Sequence, residues 1–215
     1  MAKDADGFAG ERRSDERTTT VYRPVVILVE GFAGFCLVRN LSPEGMMGMV
    51  YTSFAEGSPI SVQFHSAFTV PGTVVWSSDA KVGIRFDDRI DVPAVLHLLS
   101  NPLYRGKVNR APRLEIQTKG EIDLDGRTIS VELQDISQRG LKVRSTFLRP
   151  EDEVTVHLQG MEPRGAIVRW ALLETAGLNF IRPISYSELS EWVICQQRGA
   201  VCPPYGPITV QAKGF

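Results

Sequence analysis

Apolar side chains along the 215-residue chain recur mostly at every second position, in short stretches broken by Gly, Pro, Asn and Asp. That is the period of a strand with one buried face. Val21 to Glu30, Phe35 to Asn40, Met46 to Thr52, Pro59 to Phe64, Gly72 to Trp76 and Val82 to Phe86 form a first set of six. Arg113 to Lys119, Thr128 to Leu133, Leu141 to Ser145, Glu153 to Leu158, Ala166 to Trp170 and Gly177 to Phe180 form a second, with Asp125-Gly126 as a tight hairpin turn. After each set the period lengthens to a helical one, over Pro93 to Leu99 and again over Ser187 to Gln197. In the later segment Leu189, Trp192, Val193 and Ile194 give one apolar face to lie against a barrel.

The two sets are copies of one another. Asn40-Leu41-Ser42-Pro43-Glu44-Gly45 falls on Asp135-Ile136-Ser137-Gln138-Arg139-Gly140 at an offset of 95 residues. The block from Gly72 to Trp76 falls on the block from Gly165 to Trp170, with the tryptophans 94 apart, and Gly83-Ile84-Arg85-Phe86 falls on Gly177-Leu178-Asn179-Phe180 at the same offset. Three ordered blocks at one spacing imply a duplicated domain. The expected fold is all-β, two tandem six-stranded antiparallel β-barrels, each followed by a short α-helix. Asn101-Pro102 breaks the first helix and sets a linker near residues 101–108. The expected domains are 1–104 and 105–198, with an extended tail over 199–215. Trp76 and Trp170 read as packing in a shared barrel core, with stacking against a ligand as the alternative. Arg85, matched by Asn179, could face a site or solvent.

Composition narrows the functions. With 43% hydrophobic and 23% charged residues, the chain can bury a core. A net charge of −1 argues against a general binder of DNA, RNA or acidic membranes, which needs surplus Lys and Arg. Runs such as Val25 to Leu28 and Val95 to Leu99 fall far below the roughly 18 apolar residues of a membrane span, so no span is expected. The N-terminal residues Lys3, Asp4, Asp6 and Glu11 leave no apolar signal segment, and a cytoplasmic location is expected. Cys36, Cys195 and Cys202 are irregularly spaced, and His65, His97 and His157 offer no paired metal spacing, so no metal site and incidental thiols are expected. No Ser/His/acid set, Cys/His set or phosphate-loop lysine is placed for catalysis, and no enzyme is expected.

Ahead of the first strand stands Glu11-Arg12-Arg13-Ser14-Asp15-Glu16-Arg17, which contains Arg-x-x-x-Arg as Arg13 and Arg17. A mixed-charge run of this kind is usually a solvated tail. Its partner is the repeated Asn/Asp-x-Ser-x-x-Gly block at a strand-to-strand junction, which is also what a plain polar turn needs. Together the two motifs resemble the signature of the PilZ family, complete in the first copy as Arg13, Arg17, Asn40, Ser42 and Gly45. The resemblance implies a receptor for the bacterial second messenger cyclic di-GMP, without catalysis or any other cofactor. It implies an arginine loop that folds across a ligand seated on the Asn/Ser face, and a downstream protein partner. The guanidinium fork suits both guanine O6/N7 and phosphate. Arg12 resembles the extra arginine of those PilZ domains that bind two stacked ligand molecules. In the second copy Asp135, Ser137 and Gly140 are intact, but aligning Arg113 with Arg17 places Asn109 where the first arginine belongs, with Arg105 and Arg110 out of register. A weaker second site, or none, is expected there. The competing function is a nucleotide-independent adaptor built from degenerate PilZ domains.

Overall fold

The computed structural model describes residues 19–100 and 111–198. The linker near 101–108, Asn109, Arg110 and the tail over 199–215 lie outside the described residues. The first half forms β1 (Thr19–Val29), β2 (Phe32–Ser42), β3 (Gly45–Met49), β4 (Pro59–His65), β5 (Phe68–Ser78) and β6 (Lys81–Phe86), then α1 (Val92–Ser100). The second forms β7 (Leu114–Leu124), β8 (Arg127–Ser137), β9 (Gly140–Arg144), β10 (Glu153–Leu158), β11 (Arg164–Leu172) and β12 (Thr175–Phe180), then α2 (Tyr186–Arg198). The first six strands close in the order β1-β2-β3-β6-β5-β4, and the second six close in the equivalent order, so the described strands form two antiparallel barrels without open edges. Inward positions follow the alternation: Val25, Ile27, Cys36, Val38, Leu41, Val62 and Val74 fill the first barrel. Asp125 and Gly126 take positive φ at the β7–β8 turn, as the Asp-Gly pair demands.

The duplication extends to the irregularities. A β-bulge lies between Thr20 and Arg23, another between Val38 and Asn40, and a third between Val74 and Trp76. The second barrel repeats them between Glu115 and Thr118, Leu133 and Asp135, and Val168 and Trp170. Pairing also refines the alignment. Gly72 faces Phe86 and Ala166 faces Phe180, so Gly72 corresponds to Ala166 rather than to Gly165.

Each helix follows its barrel and is capped as its sequence allows. Asp91 Oδ1 accepts the Ala94 amide at 3.0 Å, and Ser185 Oγ accepts the Glu188 amide at 3.2 Å, so the second helix is capped by Ser185 and begins ahead of Ser187. α2 buries Leu189, Trp192 and Val193 in the second barrel's core and donates the Trp192 indole proton to the Gln159 carbonyl at 2.9 Å.

The same helix ties the two barrels together. Val26 and Phe35, paired across β1 and β2, point out of the first barrel and join the second barrel's core cluster. The Tyr186 ring meets Phe35 edge-on at 5.5 Å, and its hydroxyl donates to the Cys36 carbonyl at 3.4 Å. Burial, first of all, raises the Tyr186 phenol far above its ordinary range, with the nearby Cys36 and Tyr51 adding to the rise, and burial pushes the Cys36 thiol up to about 12, so both stay protonated. Gln197 grips Ala33 at both of its backbone groups, donating to the carbonyl at 2.6 Å and accepting from the amide at 2.9 Å, and Arg198 donates to Thr52 Oγ1 at 3.0 Å. The apolar run Val25 to Leu28 is thereby explained: its alternate side chains are covered from inside and outside.

Phe35 is almost fully buried at this junction. The unaltered chain is expected to unfold in one calorimetric transition, and Phe35→Ala to lower its stability by about 3 kcal/mol and give two transitions. An unchanged single transition would refute the coupling.

Candidate ligand-binding site

The bulges decide which side chains reach the outer surface of the first barrel. Plain alternation from Cys36 and Val38 would turn residue 40 inward. The extra residue, Arg39, reverses the phase, so Leu41 is buried while Asn40 and Ser42 face outward. Val75 is the extra residue in β5 and turns Trp76 outward in the same way. Trp76 is therefore 39% exposed and Trp170 41% exposed, which corrects the expectation that these tryptophans pack in the barrel core.

Strand pairing places the outward residues in two adjacent rows. Asn40 pairs with Met47, Met47 with Gly83 and Gly83 with Trp76, a line across β2, β3, β6 and β5. Ser42 pairs with Gly45, Gly45 with Arg85 and Arg85 with Thr73 in the neighbouring row. These rows floor an open cleft of about 330 Å³, which resolves Arg85 toward the site. Gly83 is where the indole rests, since a Cβ there would overlap Trp76 Nε1. The absence of a side chain lets the ring lie flat across β6 with one face open. Gly45 is required for a different closeness: a Cβ there would strike the Ile84 carbonyl oxygen.

Ser42 Oγ donates to the Gly45 carbonyl at 3.0 Å, closing the turn between β2 and β3, and Ser137 repeats this with Gly140 at 3.0 Å. The serine is thus a turn fastener whose oxygen keeps lone pairs for a further donor. Beside the cleft, Arg89 donates to Glu44 at 2.6 Å, and both side chains are more than half exposed.

The second barrel has the same backbone with different chemistry. Its corresponding rows read Asp135, Lys142, Gly177, Trp170 and Ser137, Gly140, Asn179, Ile167. Lysine stands for Met47 and asparagine for Arg85. Arg113, immediately ahead of β7, donates to the Asp135 carboxylate, so the acidic residue of this motif is already neutralised within the chain.

Of the sequence-predicted residues, the structure brings Asn40, Ser42 and Gly45 to one cleft, and Arg113, Asp135, Ser137 and Gly140 to the equivalent place on the second barrel. Arg12, Arg13 and Arg17 lie outside the described residues. Sequence reasoning missed Met47 and Gly83 as the floor. The available signal was the recurrent Gly/Trp pair, Gly83 with Trp76 and Gly177 with Trp170. Among the described residues no group of three or more His, Cys, Asp or Glu is arranged to hold a metal ion, and no helix is long and apolar enough to cross a membrane.

The family model of the PilZ domain matches residues 11–101. The match falls on the first barrel, and the second barrel repeats that barrel's topology, motif and bulges. No curated protein matches it in sequence. Among solved structures it is similar to the PlzA protein of Borreliella burgdorferi in complex with c-di-GMP, at 14% identity and a TM-score of 0.37 over 84% of this chain and 94% of that one. It is similar to the inhibitor of motility MotI/DgrA of Bacillus subtilis at 12% identity and a TM-score of 0.33 over 84% and 99%. It is also similar to YcgR of Escherichia coli in complex with c-di-GMP at 10% identity and a TM-score of 0.33 over 83% and 84%.

The exposed setting of Trp76 makes a quantitative prediction. Trp76→Leu is expected to cost no more than about 1 kcal/mol in chemical denaturation, against about 3–5 kcal/mol for a core tryptophan. A loss in the larger range would return Trp76 to the core.

Proposed function

We propose that this chain is a non-catalytic receptor in which the first barrel binds cyclic di-GMP and passes the event to the second barrel and thence to a protein partner. The observation that carries the reading is the cleft itself. It has an open indole face at one end, Asn40 and Ser42 at the other, and Arg85 alongside, all on the domain that the PilZ model matches. A planar guanine can stack on the indole, while Asn40 offers a donor and an acceptor to a base edge. Two phosphates need cations, and a chain of net charge −1 must supply them locally. Arg12, Arg13 and Arg17 are the candidates. Arg17 precedes Thr19 by two residues, and Thr19 pairs with Leu41, between Asn40 and Ser42, so the arginine segment is covalently tied to the edge of the motif.

β2 supplies the route outward. Its C-terminal end carries Asn40 and Ser42, and its N-terminal half carries Ala33, Phe35 and Cys36, which hold Gln197 and Tyr186 of α2. Ligand that reorders the arginine segment against the end of β2 therefore acts on the strand that docks the second barrel. The second barrel serves as the responding surface. Its Asp135 already holds Arg113, and a ligand would have to displace that pair.

Calorimetric titration of the full chain with cyclic di-GMP tests the reading. Saturable binding is expected, weakened at least tenfold by Arg13→Ala and again by Arg17→Ala, since each lost charge-assisted contact costs about 1.5–3 kcal/mol. Asp135→Ala and Arg113→Ala are expected to leave the affinity unchanged. If the extra arginine supports a stacked pair of ligands, Arg12→Ala lowers the stoichiometry from two to one. Absence of binding by the unaltered chain would establish the adaptor instead.

A further inference from the structure

Arg39, Arg85 and Arg89 stand around the cleft of the first barrel, and they are not equivalent. Arg39 lies over the Tyr22 ring at 4.2 Å and donates to Met49 Sδ at 3.3 Å. Arg89 holds Glu44. Arg85 lines the cleft and is exposed, and among the described residues it makes no hydrogen bond or ion pair. Its guanidinium donors are therefore uncommitted, in the one place where a ligand would meet them.

Strand register sets Arg85 beside the indole. Gly83 and Arg85 are alternate residues of β6 and share its outer face. Gly83 pairs with Trp76, so Arg85 is the diagonal neighbour of the indole, at a separation of roughly 7–8 Å that long side chains span. A planar base stacked on the indole overlies Gly83 and turns one edge toward Arg85. A guanidinium only donates. It fits guanine, whose O6 and N7 are adjacent acceptors, and mismatches adenine, whose N6 amine sets a donor beside N7. Phosphate is served from the opposite side: the arginine segment precedes Thr19, which pairs with Leu41 on β2, whereas Arg85 lies beyond β3 on β6. The second barrel keeps Trp170 resting on Gly177 but carries Asn179 in the place of Arg85, so platform and base reader vary independently.

We infer, on the receptor reading proposed above, that Arg85 reads the guanine stacked on Trp76 through paired hydrogen bonds to O6 and N7, and so sets the first barrel's preference for guanine over adenine. It is a specificity residue outside both sequence motifs. The fork geometry is what the role requires, because a lysine at the same position would supply the charge without the two parallel donors.

Calorimetric titration of the full chain and of Arg85→Asn, each with cyclic di-GMP and with its 7-deaza analogue, tests the contact. The analogue replaces N7 by a C–H group and leaves the phosphates and the stacking ring in place. The unaltered chain is expected to bind the analogue about tenfold more weakly or worse, since a bidentate pair is broken. Arg85→Asn is expected to lose at least about tenfold toward cyclic di-GMP and then to treat the two ligands alike within about threefold, as removal of either partner of one contact requires. Asn179 occupies the same place in the second barrel, so the substitution suits the fold, and an unchanged circular dichroism spectrum checks this. Arg85→Lys is expected to behave as Arg85→Asn does. Equal losses on the analogue in the unaltered chain and in Arg85→Asn, or an Arg85→Lys that discriminates as the unaltered chain does, overturn the inference and leave the receptor reading standing. Failure of the unaltered chain to bind cyclic di-GMP overturns both.

Discussion

The structure depends on a single device, the insertion of one extra residue into a strand, used at three equivalent places in both barrels and once more in the first, between Gln63 and His65. A closed six-stranded barrel fixes an inside and an outside, and strict alternation would send every second side chain to the core. Each bulge reverses that assignment from one residue to the next, at the local cost of an interrupted ladder. Because Arg39 and Val75 are extra, Asn40 and Trp76 arrive on the outer surface in a single row with Gly83 between them. Without either bulge the polar motif would be aimed into the apolar interior and the indole would overfill the core.

The same device explains what was readable in the sequence. Strand number, the two helices and the duplication were legible because they rest on period and offset, which survive shifts of one or two residues. Ser42 and Gly45 were legible because turn chemistry is local. Trp76 was misplaced because the period-two pattern contains no mark of where it is interrupted, and a tryptophan after two valines looks like a core residue. The inter-barrel face was written in Val25 to Leu28, where alternation fails because both faces are covered. That run bears two readings until the partner surface is known, and the partner lies more than 150 residues away in α2.

The two halves share backbone, turn fasteners and irregularities, yet their outer surfaces have diverged. Where the first has Met47 and Arg85, the second has Lys142 and Asn179, and its motif aspartate is engaged by Arg113. A scaffold whose exterior is disconnected from its interior permits this, since substitutions on the outer rows leave the packed side chains of the barrel untouched. The outer surfaces differ between the copies without any change of topology.

The hold of Gln197 on Ala33 spans 164 residues, and it sets an order of events during synthesis. The outward strip of Val26 and Phe35 is made early, while the helix that covers it is the last described element to leave the ribosome. At about 5–20 residues per second, that strip waits roughly ten to thirty seconds for its cover. A nascent first barrel therefore closes around its own core while still presenting an apolar flank, and for that interval it is a natural client for the chaperones that screen emerging chains.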